Sequence, residues 1–146
     1  MIQFFVEDTN FVPHPLLSSV TNWLLKVVTF YNHSIKEINY IFCSDEYLLT
    51  INQQFLSHDF FTDIITFDNR DQSSQPLESD IFISVDRVKE NSQQLNTSFL
   101  HELLRVIVHG ILHLLEFNDS DDIEKSEMRT LESKFVDMYF QEFHSS

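Results

Sequence analysis

SFLHELLRVIVHGILHLLEFND, Ser98–Asp119, decides how the rest of the chain is read. A helix turns about 100° per residue, and on that wheel Glu102, Arg105, His109 and His113 fall within an arc of roughly 80°. Leu103, Leu104, Val106, Ile107, Val108, Ile111, Leu112, Leu114 and Leu115 occupy the rest of the circumference. The stretch predicts a helix over Ser98–Leu115 that is apolar on most sides and therefore buried. Its one polar stripe must be paired or line a cleft, because an unpaired buried polar group costs about 1–3 kcal/mol.

His109 and His113 stand at i,i+4, so both imidazoles leave the same face at a separation one metal ion can bridge. Asp119 follows six residues later, in the polar turn FNDSDD, where Asn118 tolerates the left-handed conformation that ends many helices. A chain folding back there brings the Asp119 carboxylate to the two histidines, with Asp121 and Asp122 as rival donors. Three protein ligands leave one position open for water, as in catalytic zinc sites, although two histidines and a carboxylate also suit iron, nickel or manganese. The competing reading makes the histidines hydrogen-bonded core residues and the acidic turn a solvated surface. Gly110 is the only glycine among 146 residues, and it stands inside this helix, where glycine costs roughly 1 kcal/mol relative to alanine. Its missing side chain is expected to admit another backbone, or a substrate, close to the metal. It also occupies the place of the glutamate base in the H-E-x-x-H peptidase pattern, which removes the peptidase reading.

Working outward, the chain alternates strands and helices. Ile2–Val6, Lys36–Cys43, Ile64–Phe67 and Asp80–Val85 read as strands from their β-branched and aromatic content. Helical spacing marks Leu16–Val28, Glu46–Phe55, Asp86–Gln94, the central helix and Asp122–Phe140. DNRDQSSQPLES reads as a long loop between the third and fourth strands. The expectation is an α+β fold, one compact domain over residues 1–146, with a mixed sheet of about four strands packed with about five helices. Its 42% hydrophobic content and 15 phenylalanines suffice for one sizeable core. A net charge of −14 with nine lysines and arginines argues against general nucleic-acid binding, so a polyanionic substrate must be gripped locally. No apolar run approaches the roughly 18 residues of a membrane span. MIQFFVEDTN lacks the basic start of a targeting peptide, and Cys43 is alone, which suits a reducing compartment; a soluble, cytoplasmic protein is expected.

HGILHLLEFND (His109–Asp119) resembles the H-G-x-L-H-L-x-G-[YF]-x-[HD] pattern of the YbeY family of bacterial metal-dependent endoribonucleases. DEYLLTINQQFLSHDFFTDIITFD (Asp45–Asp68) resembles the family's D-x-x-x-x-x-x-N-x-x-[YF]-x-x-x-D-x-x-T-D-V-L-S-F stretch, and SDIFIS (Ser79–Ser84) its G-D-I-x-I-S strand. The likeness runs from about Asn39 to Glu132, including EMRTLE in the last helix. It implies a zincin-like metal helix with one zinc per chain held by His109, His113 and Asp119. The implied substrate is single-stranded RNA, the 16S rRNA precursor at its 3′ end. Implied partners are the small ribosomal subunit, in its quality control, and an Era-type GTPase, with no role for DNA or membrane. Four departures stand out: Asp119 where histidine is commonest, Glu116 and Ser79 in place of glycines, and Leu56 where many members carry an arginine. Arg105, one turn before His109, is the nearest substitute for a phosphate contact; its alternative is an ion pair with Glu102. No catalytic base is identifiable. A second expectation, of a different class, is a non-catalytic ribosome-assembly factor stabilised by its metal.

Overall fold

Helix α4, Phe99–Leu114, starts on Ser98, whose hydroxyl accepts the His101 N–H at 3.0 Å. It closes where Glu116 takes a left-handed φ of 72°. There the Phe117 N–H reaches Leu112 O at 3.0 Å and the Glu116 N–H reaches His113 O at 2.9 Å, a Schellman closure. The left-handed residue is thus Glu116 rather than Asn118, two positions earlier than the turn composition suggested. Around this helix the computed structural model, which describes residues 1–144, places the other elements. They are β1 (Ile2–Glu7), α1 (Leu17–Phe30), β2 (Ile35–Cys43), α2 (Asp45–Leu56), β3 (Ile64–Asp68), β4 (Leu77–Ser84), α3 (Val85–Gln94) and α5 (Asp122–Met138). A 3₁₀ turn, His14–Leu16, precedes α1, and a π-helical turn, Tyr139–Phe143, extends α5.

The sheet is mixed, in the order β1-β2-β4-β3. β1, β2 and β4 run parallel, and β3 pairs antiparallel with β4 at the edge. Alternation along the strands separates two faces. Ile38, Tyr40 and Phe42 of β2 and Leu77, Ile81 and Ile83 of β4 join α1, α4 and α5 in the main core. On the opposite face Ile65, with Phe67 and Phe82, packs on Leu48 and Ile51 of α2. Two buried polar tips tie the layers together: Tyr40 Oη donates to Ile107 O at 3.0 Å, and Trp23 Nε1 donates to Phe135 O at 2.8 Å. No described helix is long and apolar enough to cross a membrane.

β4 begins three residues before the sequence suggested. Leu77, Glu78 and Ser79 fall in what reads as loop, but the ladder with β2 extends to Leu77, whose N–H reaches Ser34 O at 2.8 Å. Ser79 is buried and donates its hydroxyl to Phe67 O at 2.6 Å. Asp80 accepts from Asn39 and Asn69 at 3.0 and 3.2 Å. Paired polar side chains therefore continue a strand that their hydropathy conceals.

Candidate metal centre

α4 carries His109 and His113 on adjacent turns, their ring centroids 4.5 Å apart and nearly perpendicular at 85°. The Schellman closure turns the chain back, and Asp119, three residues beyond Glu116, reaches both rings. Asp119 Oδ2 lies 3.6 Å from His109 Nε2, and Oδ1 lies 3.5 Å from His113 Nε2. One donor atom from each of the three residues falls within 4.8 Å of the others. The rivals are occupied elsewhere. Asp121 caps α5, accepting the Glu124 N–H at 2.7 Å in a reciprocal capping box, and Asp122 opens that helix.

Glu132 of α5 was not singled out by the sequence, and it orients the site. It is 2% exposed, and its Oε2 lies 2.5 Å from His109 Nδ1. A carboxylate facing Nδ1 places the proton there and turns the Nε2 lone pair toward Asp119. Two imidazole Nε2 atoms then face one carboxylate at distances too long for hydrogen bonds, a donor set that fits a cation between them. The signal for Glu132 was a glutamate among the buried positions Met128, Phe135 and Val136 at helical spacing. Burial lowers the His113 pKa and His109 adds to that, so the imidazole favours its neutral, ligating form.

Arg105 holds Glu102 in a two-point fork, at 2.8 Å from Nε and 2.6 Å from Nη2, and reaches Glu132 Oε1 at 3.0 Å from Nη1. The ion pair with Glu102 is therefore present. Burial opposes the Arg105 charge, but the Glu102 and Glu132 carboxylates outweigh it and raise its pKa. The side chain is 23% exposed, and it borders a small polar cavity with His109, Asp119 and Asp63. Asp63, just before β3, also escaped the sequence reading. Its Oδ2 lies 3.8 Å from Arg105 Nη2, and burial raises its pKa while Arg105 and His109 pull it back.

The three donor residues line an open cleft of about 570 Å³. Ile64, Ile65, Thr66 and Asp68 of edge strand β3 form one wall, and Asn52, Leu56, His58 and Phe60 form the rim. No lysine or arginine lines it. Leu56, 40% exposed, stands in the cleft where the sequence pattern suggested an arginine. Gly110 explains how closely α4 approaches the sheet. A Cβ there would lie 3.1 Å from Ile64 Cδ1, 3.3 Å from Ile81 Cδ1 and 3.3 Å from Thr66 Oγ1. The space is filled by side chains of β3 and β4, so the glycine admits neither a neighbouring backbone nor a substrate but the packed side chains of the sheet.

A family model described as Endoribonuclease YbeY matches residues 6–139, almost the whole chain. The chain belongs to the endoribonuclease YbeY family. Among YbeY relatives, a Cytophaga hutchinsonii protein named Endoribonuclease YbeY is 47% identical over 131 residues, covering 90% of each sequence. One of the same name from Bacteroides fragilis is 48% identical over 118 residues, covering 81% of this chain and 84% of its own. Another from Porphyromonas gingivalis is 39% identical over 137 residues, covering 94% and 89% respectively. The solution structure of TM1509 from Thermotoga maritima superposes with a TM-score of 0.70 at 29% identity, covering 97% of this chain and 91% of that one. The YbeY assignment and the α+β architecture with four strands and five helices agree with the sequence reading.

Proposed function

We propose that this chain is a metal-dependent endoribonuclease that cleaves single-stranded RNA, acting on the 16S rRNA precursor in 3′-end maturation. What supports the reading is the convergence of His109 Nε2, His113 Nε2 and the Asp119 carboxylate on an open cleft, in a chain of this family. His109, His113 and Asp119 would hold one divalent ion, with zinc as the metal proposed for this donor set. A bound ion of this kind supplies Lewis acidity at a phosphoryl oxygen and lowers the pKa of a bound water. Glu132 keeps the His109 tautomer and ring orientation, and Arg105 holds Glu132 in turn. Asp63 is the carboxylate positioned to take a proton, from water or from the RNA 2′-hydroxyl. The exposed edge of Arg105, beside the small cavity, is the proposed phosphate contact. The small ribosomal subunit and an Era-type GTPase are the proposed partners, and the cytoplasm the proposed location.

A second reading, a metal-stabilised assembly factor without catalysis, draws on one observation: no cation lines the cleft, and Leu56 stands in it. One experiment separates the two. Metal content and cleavage of single-stranded RNA are measured for the natural chain and for His109→Ala. About one metal per chain with RNA cleaved, and both lost in the variant, supports the enzyme. Stoichiometric metal with intact RNA supports the assembly factor.

A further inference from the structure

The cleft's rim is aromatic where a phosphate-binding site would be basic. His58 and Phe60 stack on each other, ring centroids 5.1 Å apart with an interplanar angle of 23°, and both line the cleft that leads to the metal centre. Phe60 is 57% exposed, so its ring is accessible to a ligand in the cleft.

The loop carrying them is fastened. α2 ends on Ser57 in the left-handed conformation, at a φ of 56°. The buried Asn52 accepts the His58 N–H at its carbonyl, at 3.2 Å, and donates its side-chain amide to Phe60 O at 2.9 Å. Gln53 Nε2 adds a bond to Asp59 Oδ1 at 2.6 Å. Asn52 thus holds the loop backbone at both ring-bearing residues, so less of the loop has to be ordered on binding.

We propose that His58 and Phe60 form a stacking platform for a base of single-stranded RNA, with Asn52 as the positioning residue. Stacking is insensitive to sequence and to net charge, because every base presents a π-face. It grips RNA in a cleft that offers no lysine or arginine and whose nearby Asp63 and Asp68 repel phosphate. The platform supplies affinity at the rim, and the metal centre acts on the backbone further along. The inference rests on the proposed RNA substrate and adds how that substrate is held.

The test uses the zinc-loaded full chain and a 12-nucleotide single-stranded RNA carrying 2-aminopurine at successive positions. Phe60→Ala, Phe60→Leu and Phe60→Trp are compared with the natural chain for RNA affinity, fluorescence quenching, KM and kcat, with thermal midpoints alongside. Loss of one stacked base is expected to weaken binding and raise KM about tenfold in the Ala and Leu variants, with kcat nearly unchanged. The Trp variant restores affinity, and one 2-aminopurine position is quenched only when residue 60 is aromatic. Unchanged KM and quenching in Phe60→Ala, while the natural chain cleaves the RNA, would overturn the platform and leave the nuclease reading intact. Aromatic-dependent quenching without cleavage would keep the platform and overturn the nuclease reading. A natural chain that neither binds nor cleaves RNA overturns both.

Discussion

A methyl group at position 110 would press on Ile64, Ile81 and Thr66 at 3.1–3.3 Å, tighter than ordinary contact. Alanine recovers about 1 kcal/mol of helix propensity, but overpacking costs about 1–3 kcal/mol. Gly110→Ala is therefore expected to be destabilising by about 1 kcal/mol. It should also reduce RNA cleavage, because Ile64 and Thr66 are pushed along the cleft wall. A more stable and fully active variant in thermal melts and cleavage assays would refute this. Scarcity of glycine has a second consequence. α1, α2, α3 and α4 all end near a non-glycine residue at positive φ: Asn32, Ser57, Asn96 and Glu116. Asparagine tolerates that conformation through local hydrogen bonds, whereas glutamate has no such compensation. Glu116, at 72°, is the most strained in kind, in the place where the family pattern carries glycine. Glu116→Gly is expected to stabilise by about 1 kcal/mol, raising Tm by about 2–4 °C, read by calorimetry. The histidine pair, Asp119 and the placement of Gly110 inside the helix were legible in the sequence, whereas the left-handed position was read at Asn118 and falls at Glu116. What Gly110 faces was not legible, because its neighbours come from strands about 30 and 45 residues earlier.

At the scale of elements, helix periodicity predicted α4 within a residue at each end, since a wide apolar arc with one polar stripe has few other solutions. Strand β4 was legible only in its apolar half. Leu77–Ser79 becomes strand because β2 and β3 lie on either side and satisfy its polar groups, a property of the sheet and not of the segment. The loop before it is held by Arg70. That guanidinium donates to Asp68 from Nε at 2.9 Å and from Nη2 at 2.8 Å, and Nη2 also reaches Leu114 O at 2.7 Å, at the end of α4. Hydrogen bonding from Arg70 lowers the Asp68 pKa from the ordinary carboxylate range. A carboxylate whose folded pKa is depressed contributes stability that is present above its unfolded pKa and lost as pH falls through the folded one. Asp68→Asn should therefore melt lower than the natural chain near pH 7. The gap should close as pH falls through the depressed folded pKa, where the natural side chain is protonated too. A gap independent of pH would remove the ion pair as its cause.

For the whole molecule, the three donor residues span the corner between α4 and the turn into α5, so a bound ion would tie the end of α4 to that turn. Ligand binding to the native state alone stabilises by about 2.7 kcal/mol at 100 times the Kd. Chelation of the zinc-loaded chain is expected to lower Tm by several degrees, and to leave His113→Ala almost unmoved; an equal fall in both would refute the tie. The acidic balance of −14 is a property of sequence that the fold redistributes. Arg70, Arg87 and Arg105 all turn to carboxylates, which leaves the cleft without a cation. By itself the sequence determined the elements, the α+β class, the metal-ligand candidates and the family. Those follow from local periodicity, spacing and motif. Only the tertiary structure decided that Glu132 orients His109, that Arg105 is shared among Glu102, Glu132 and Asp63, and that Asn52 braces an aromatic rim. Each of these joins residues distant in sequence or facing inward from separate elements, and such pairings arise only when the layers pack.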